Sequence, residues 1–187
     1  MPDRSPRPAA PGDGLDARLA EMIRVDHAGE YGAVQIYRGQ RAVFEAMGRH
    51  PHLVSALRRQ EADEAAHLKA FDALIAQRGV RPTALAPIWN AAGFALGAVT
   101  ALMGEKAAHA CTAAVETAIE GHYAEQEAEL GAREPELKAM IAQFRAEETA
   151  HKDEAIAEGA REAPGFSVLD AVIKAGCRVA IAVSQKI

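Results

Sequence analysis

Apolar residues recur at intervals of three and four positions along most of the chain, the periodicity of α-helices that bury one face. The pattern divides into four long segments, which we predict to be helices of a four-helix bundle: 16–47, 51–78, 105–130 and 135–158. Proline suits the first turn of a helix and glycine commonly follows the last one. The residues that mark these boundaries are Pro51, Gly79, Gly131, Pro135 and Gly159.

A long apolar segment separates the second and third of these helices. No charged residue occurs from Pro82 to Gly104, but Pro87 and Asn90 interrupt the segment, and its uninterrupted apolar run is too short to span a membrane. We expect a crossover helix, as a bundle with parallel halves requires, either buried in the core or in contact with lipid. The side chains suited to an isoprenoid tail are Trp89, Phe94, Leu96 and Leu102.

The last apolar segment, 168–184, is predicted to be an additional amphipathic helix. One face is apolar, and Lys174, Arg178 and Lys186 make the segment basic, as in helices that lie on a membrane surface. The alternative is a helix that covers the open end of the bundle. The spacing of Ser167 and Asp170 matches a capping box at its start.

Composition narrows the class of protein. The 187 residues carry a formal net charge of −5, without the basic footprint of a nucleic-acid-binding protein. Cys111 and Cys177 lie in apolar segments and indicate buried thiols in a reducing compartment. Residues 1–15 are rich in proline and lack the apolar core of a signal peptide. We expect a disordered tail there, followed by one domain over 16–187 of a cytosolic bacterial protein.

Two Glu-x-x-His pairs lie in the middle of the second and fourth bundle helices. Residues three apart share a helix face, so each pair can bind one metal ion. The middle of each preceding helix carries one glutamate outside such a pair (the single glutamates, Glu30 and Glu116), 34 and 32 residues before the glutamate of the pair. Four carboxylates and two imidazoles form the ligand set of a carboxylate-bridged di-iron or di-manganese centre in a four-helix bundle. The predicted ligands are Glu30, Glu64, His67, Glu116, Glu148 and His151.

Several polar residues near this set have alternative interpretations. Tyr37 and Tyr123 each follow a single glutamate by seven residues, and we expect buried aromatic rings with satisfied hydroxyls. Asp26 either accepts a hydrogen bond from a metal-bound imidazole or pairs with an arginine on the surface. Glu120, one helical turn after Glu116, is a candidate extra ligand. Acids expected to face solvent or away from the site are Glu61, Asp63, Glu147 and Glu154.

The ligand set leaves the reaction open. Carboxylates and imidazoles without thiolates favour iron or manganese, and they serve iron storage, peroxide reduction and oxygenation alike. A ferritin-like iron oxidase or store would have no need of the uncharged crossover or the basic helix, whereas an oxygenase acting on a lipid would use both. A lipid-binding bundle without catalysis is the third alternative.

Six motifs are distributed along the chain: RVDHAGEYGA at 24–33, HLK at 67–69, WN and GFALG within 89–97, CTAAVE at 111–116, EETAH at 147–151 and GCRVAI at 176–181. In these motifs the sequence resembles the demethoxyubiquinone hydroxylase family of ubiquinone biosynthesis, over residues 19–187. The resemblance implies a ferritin-like di-iron monooxygenase that hydroxylates the ring of a demethoxy-polyprenyl-benzoquinol. It also implies two iron ions per chain, O₂ as co-substrate and NADH as reductant.

The resemblance assigns roles to individual residues. Glu30 and His67 would bind one iron ion, and the glutamates of the two Glu-x-x-His pairs, Glu64 and Glu148, would bridge the two ions. Glu116 and His151 would complete the second iron site. Residues in the family's motifs that would serve the substrate or the electrons as accessory residues are His122, Tyr123 and Arg178.

The resemblance also implies partners and a location. The substrate would be a polyprenyl quinol, and the chain would bind peripherally to a membrane, at the cytoplasmic face of the bacterial inner membrane. A lipid-presenting partner protein and a homo-oligomer are compatible with the sequence, and a nucleic-acid partner is not. No Gly-x-Gly-x-x-Gly fingerprint occurs, which fits a reductant that does not sit in a Rossmann domain.

Overall fold

The computed structural model describes residues 17–187, which form six α-helices, a short 3₁₀ turn and no strand. The predicted all-α class is therefore confirmed for this part of the chain. The expected tail over 1–15 and the expected first helical residue, Asp16, lie outside the described residues. The helices are α1 (Ala17–Met47), α2 (Pro51–Arg78), α3 (Ala86–Leu102), α4 (Glu105–Leu130), α5 (Pro135–Ala157) and α6 (Phe166–Ser184).

The predicted capping box at the start of α6 is wrong. The helix begins at Phe166, two residues before the predicted start, because Gly165 adopts the left-handed conformation (φ 71°) that ends the preceding turn. No side chain caps this helix, and Ser167 already lies inside it. Asp170 pairs instead with Lys174, one turn further along, at 2.8 Å.

α1, α2, α4 and α5 form a four-helix arrangement consistent with a ferritin-like bundle. Residues 48–50 join α1 to α2 and residues 131–134 join α4 to α5, and such short connections produce antiparallel neighbours. α1 packs along α2, and α4 packs along α5. α2 and α5 meet through large side chains, since the rings of His67 and Phe144 stack at 4.0 Å.

Glycines allow α3 to pack directly against the backbone of α1. A Cβ atom at Gly97 would lie 2.0 Å from the carbonyl oxygen of Ile36, and one at Gly93 would lie 2.7 Å from that of Gly32. Gly39 on α1 approaches the backbone of α3 in the same way. No larger residue fits at these positions without separating the helices.

None of the helices within residues 17–187 has both the length and the apolar character needed to cross a membrane. This agrees with the expectation that the uncharged segment is not a membrane span. The apolar side chains that α3 and α6 nevertheless expose include Ile88, Phe94, Val99, Leu102, Val168, Val172 and Val179.

Candidate metal centre and adjoining cavity

The predicted ligands come together inside the bundle. α1 and α4 each supply one glutamate, while α2 and α5 each supply a Glu-x-x-His pair whose two side chains share one helix face. Glu64 and Glu148 are fully buried, and the most exposed member of the set, His151, is only 6% exposed. The residues assembled are Glu30, Glu64, His67, Glu116, Glu148 and His151.

These side chains form two overlapping groups. In each group, one ligand atom from each of four residues lies within 4.8 Å of the other three. His67 Nδ1 is 3.1 Å from Glu148 Oε1. His151 Nδ1 is 3.2 Å from Glu64 Oε1. Glu64 and Glu148 belong to both groups, which are Glu30, Glu64, His67 and Glu148, and Glu64, Glu116, Glu148 and His151.

The donor atoms of this cluster fit a pair of divalent metal ions. Both oxygens of each shared glutamate, one oxygen of each single glutamate and Nδ1 of each histidine are buried and make no hydrogen bond of normal geometry, although the Nδ1 atoms lie close to glutamate oxygens. Leaving such an atom unpaired costs roughly 1–3 kcal/mol. When ionised, four carboxylates carry four negative charges, which two divalent cations balance. Oxygen and imidazole donors without sulfur suit iron or manganese.

The close packing of charged groups in this cluster shifts the pKa values of the predicted ligands. Burial, together with repulsion from Glu148, raises the pKa values of Glu64 and Glu116 well above their usual range. Burial opposes ionisation of both Glu148 and His67, but the opposite charges beside each of them prevail. The pKa of Glu148 falls to about 2 through its contacts with His151 and His67. The carboxylates of Glu148 and Glu30 raise the pKa of His67 to about 12.

Two tyrosines hold the single glutamates across the bundle. The Tyr37 hydroxyl on α1 donates to Glu116 Oε1 on α4 at 2.6 Å, and the Tyr123 hydroxyl on α4 donates to Glu30 Oε1 on α1. The tyrosines are buried with satisfied hydroxyls, as expected. Each tyrosine contacts the glutamate of the opposite helix, whereas the spacing of seven residues suggested its own.

Two acidic residues that were predicted to face solvent or away from the site contact the histidines of the cluster. Glu147 Oε2 lies 2.5 Å from His67 Nε2, so the prediction that Glu147 faces elsewhere is wrong. Asp63, predicted to be solvated, has Oδ2 at 3.3 Å from His151 Nε2. Each acid immediately precedes the glutamate of one pair and reaches the histidine of the other pair. Such an acceptor orients an imidazole so that its second nitrogen points at a metal ion.

Asp26 fits neither alternative from the sequence. It is buried, with 3% of its surface exposed, and does not pair with an arginine. Its Oδ1 accepts hydrogen bonds from Gln126 at 2.7 Å and from His122 at 3.2 Å. His122 is therefore held by Asp26 and by Gln126, which lies four residues further along α4. It makes no contact with the six predicted ligands. Burial raises the pKa of Asp26.

The other nearby charged residues lie outside the cluster. Glu120, the candidate extra ligand, pairs with Lys152. Glu61, expected to be solvated, is mostly buried and pairs with two arginines of α1. Glu154 faces elsewhere as predicted, with Arg59 at 2.6 Å. Arg178 is exposed on α6 and makes no contact with the predicted ligands.

A cavity of about 420 Å³ lies between α1, α3, α4 and α6. Its wall is almost entirely apolar. Ala33 and Ile119 line it, each three residues after a single glutamate of the cluster and on the same helix face. Burial and the nearby charge of Glu116 raise the pKa of Cys177, another wall residue, to about 11. The cavity therefore lies one helical turn from Glu30 and Glu116, although none of the six predicted ligands lines it.

Specific hydrogen bonds fix the helices around this cavity. The Trp89 indole nitrogen donates to Ser184 Oγ at 3.1 Å, which ties α3 to the end of α6. The Arg24 guanidinium donates to the carbonyl oxygen of Gln185 at 3.2 Å, which ties α6 to α1. Trp89 and Leu96 line the cavity, whereas Phe94 is exposed, so α3 contributes to the core and to the outer surface.

Comparisons with known proteins identify similar sequences. A family model described as Ubiquinone biosynthesis protein COQ7 matches residues 17–184. The chain is 54% identical over 178 residues to a Rhodospirillum rubrum protein named 3-demethoxyubiquinol 3-hydroxylase, covering 95% of this chain and 82% of that protein. It is 46% identical over 175 residues to the human NADPH-dependent 3-demethoxyubiquinone 3-hydroxylase, mitochondrial, covering 91% and 79% respectively. A Saccharomyces cerevisiae protein, 5-demethoxyubiquinone hydroxylase, mitochondrial, is 40% identical over all of this chain and 85% of its own length.

Proposed function

The chain belongs to the COQ7 family of ubiquinone biosynthesis proteins, and we propose that it performs its hydroxylation with two iron ions held inside the bundle. It is an oxygen-dependent hydroxylase that acts on the ring of 3-demethoxyubiquinol. One atom of O₂ is inserted into a ring C–H bond to form a hydroxyl group, and the other leaves as water after taking up two electrons from a reductant and two protons. The metal proposal rests on the two overlapping groups of Glu and His side chains, whose buried oxygen and nitrogen atoms lack normal hydrogen bonds.

Each residue of the cluster has a defined task in this proposal. Glu64 and Glu148 would help to hold both ions, because both belong to the two donor groups. Glu30 and His67 would hold one iron ion together with them, and Glu116 and His151 would hold the other. When bound, the iron pair supplies the activation of O₂. The residues assigned as metal ligands are Glu30, Glu64, His67, Glu116, Glu148 and His151.

The apolar cavity is the proposed site for the quinol and the first part of its polyprenyl tail. Its wall includes Ala33 and Ile119, one helical turn from Glu30 and Glu116, so a ring bound there would lie near the metal ions. The apolar wall would exclude bulk water from the reaction. The polar Trp89–Ser184 pair lies at the wall and holds α3 and α6 together. His122 and Tyr123 keep α1 and α4 in register through Asp26 and Glu30.

The outer apolar surface of α3 and α6 is the proposed contact with the membrane that carries the substrate. Phe94, Val99 and Leu102 project from α3, and Val172 and Val179 from α6, with 40–65% of each side chain exposed. Arg178 is exposed on α6 and suits anionic lipid headgroups. Peripheral binding at the cytoplasmic face of the bacterial inner membrane would let the quinol enter the cavity directly from the lipid.

The reductant is proposed to be a reduced nicotinamide nucleotide. The family resemblance implies NADH, and the names of the human and bovine relatives specify NADPH. Comparing the rates with each nucleotide at equal concentration decides between them. Equal rates with NADH and NADPH would show that the protein does not recognise the 2′-phosphate of NADPH.

Isotope labelling tests the reaction and the metal together. Protein loaded anaerobically with Fe²⁺ is given a demethoxyubiquinol analogue, NADH or NADPH and ¹⁸O₂, and the product is analysed by mass spectrometry. We expect a product with one ¹⁸O atom and two iron ions per chain. Product without label, or no product from iron-loaded protein after adding membranes and cell extract, would contradict the proposed reaction.

Two glutamates on α4 provide matched variants for the ligand assignment. Glu116→Gln alters a proposed ligand, whereas Glu120→Gln, one helical turn further along, alters a residue that pairs with Lys152. We expect the first variant to lose at least one iron ion and the hydroxylation, and the second to retain both. Two bound iron ions and normal turnover in Glu116→Gln would contradict the ligand set.

A further inference from the structure

Three metal-binding side chains meet at the surface, at the turn between α1 and α2. His50 Nδ1 lies 2.8 Å from Glu105 Oε2, and His52 Nε2 lies 3.1 Å from Glu105 Oε1. One ligand atom from each of these residues lies within 4.8 Å of the other two. The group links the start of α2 to the first residue of α4. It shares no residue with the six-residue cluster.

The backbone at His50 adopts an uncommon conformation. His50 has φ 55° and ψ 57°, and within residues 17–187 no other residue except glycine has a positive φ. A side chain with a Cβ adopts this conformation only when its surroundings enforce it. The His50 ring packs edge-on against Phe44 at 5.7 Å, which directs Nδ1 toward Glu105.

The geometry and the donor types suit a zinc-like ion. Zinc binds imidazole nitrogen and carboxylate oxygen at about 2.0–2.2 Å in a tetrahedral arrangement, so its ligand atoms lie roughly 3.3 Å apart. His50 and His52 contact different oxygens of Glu105 at 2.8 and 3.1 Å, so a small outward movement of the side chains would bring the donor atoms to that separation. Two imidazoles favour zinc and similar transition metals over magnesium or calcium. Lys106, the neighbouring cation, is occupied by Glu162.

We propose that His50, His52 and Glu105 form a second metal site, which binds a zinc-like divalent ion and clamps the α1–α2 turn to the start of α4. With three protein ligands, the fourth position is open to water. His52 is 69% exposed at its side chain, so an ion can enter from solvent. Bound metal would join segments that are 53 residues apart in the sequence without entering the bundle.

Zinc titration of the iron-loaded protein tests this site. The protein, without an affinity tag, is titrated with Zn²⁺ in competition with a chromophoric chelator, and the released iron is measured at each step. We expect one Zn²⁺ ion to bind per chain while the iron is retained, and the melting temperature to rise. Zinc that binds only in exchange for iron, or fails to bind, would overturn the proposal.

Variants identify the ligands. The double variant His50→Gln/His52→Gln should lower zinc affinity by more than the roughly 10–100-fold that loss of an outer partner causes, and should abolish the melting shift. Glu105→Gln, which keeps a hydrogen-bonding oxygen, should also weaken binding. His27→Gln is the control, because His27 pairs with Asp72 on another part of the surface. Unchanged zinc affinity in the double variant, with iron content and helicity intact, would overturn the site.

Discussion

The Tyr37 hydroxyl donates a hydrogen bond across the bundle to Glu116, with its oxygen 2.6 Å from Glu116 Oε1. Tyr123 returns the same interaction to Glu30 in the opposite direction. Each single glutamate is thus positioned by the helix that carries the other one. The arrangement couples the docking of α1 on α4 to the geometry of both halves of the metal centre, so neither half is complete on its own.

Removing one of these hydroxyls should weaken metal binding while preserving the core. Tyr37→Phe keeps the ring but leaves Glu116 Oε1 without its donor, and loss of such an outer partner reduces metal affinity by about 10–100-fold. Iron titration against a competing chelator measures the change. Tyr31→Phe is the control, because its hydroxyl accepts from Asn90 outside the cluster. Equal iron affinity in Tyr37→Phe and the unaltered protein would contradict a positioning role.

The stability of the chelated protein should fall as the pH rises. In the metal-free protein, burial and like charges raise the pKa values of Glu64 and Glu116, and neighbouring carboxylates raise that of His67 to about 12. A group with a raised pKa in the folded state loses its stabilising effect above its ordinary value, 4.5 for the glutamates and 6.5 for the histidine. Glu148, with a pKa near 2, contributes a constant amount above pH 6.

Iron should reverse this dependence, because it binds the deprotonated ligands and binding tightens as the pH rises. Thermal unfolding is compared at pH 6 and pH 8, with iron and with a chelator. We expect the difference between the two melting temperatures to be larger at pH 8. A difference that shrinks at pH 8 would mean that the cluster does not exchange protons for metal.

The spacing of residues along single helices was enough to predict much of this centre. Glu64 and His67 share a face whatever their helix packs against, so local periodicity identifies them. The boundaries of α2 and α4 follow from Pro51, Gly79 and Gly131, because proline and glycine act through the local backbone. These elements depend on neighbours within a few residues, which the sequence displays directly.

Contacts between helices could not be deduced in the same way. Glu147 precedes Glu148 by one residue, about 100° around α5, and only the rotation of α5 against α2 brings it to His67. Asp26 meets His122 and Gln126, about 100 residues away, through the docking of α1 on α4. The sequence does show an acidic residue directly before each Glu-x-x-His pair. Which histidine each acid contacts depends on how the helices pack, which the sequence does not display.

Close contact between α1 and α3 should make Gly97 intolerant of a side chain. A Cβ there would lie 2.0 Å from the carbonyl oxygen of Ile36, so Gly97→Ala must push the helices apart and should lower the unfolding free energy by about 1–3 kcal/mol or more. Gly121→Ala is the opposite case, because nothing lies within 4 Å of the added atom on α4. It should stabilise the protein by about 0.5–1 kcal/mol. Denaturant unfolding measures both, and equal effects of the two substitutions would contradict the packing of α3.

Partly filling the cavity should impair binding of the polyprenyl tail more than the reaction at the quinol ring. Gly176 on α6 lines the cavity, and a Cβ there would meet nothing within 4 Å, so Gly176→Leu puts a side chain into the space proposed for the substrate. We expect kcat/KM for a polyprenyl quinol to fall by about tenfold or more, with a smaller loss for a tail-less analogue and unchanged iron content. Ala175→Leu, at the preceding, exposed position of α6, is the control. Equal losses for both substrates would show that the cavity does not hold the tail, because a site for the ring alone would not distinguish them.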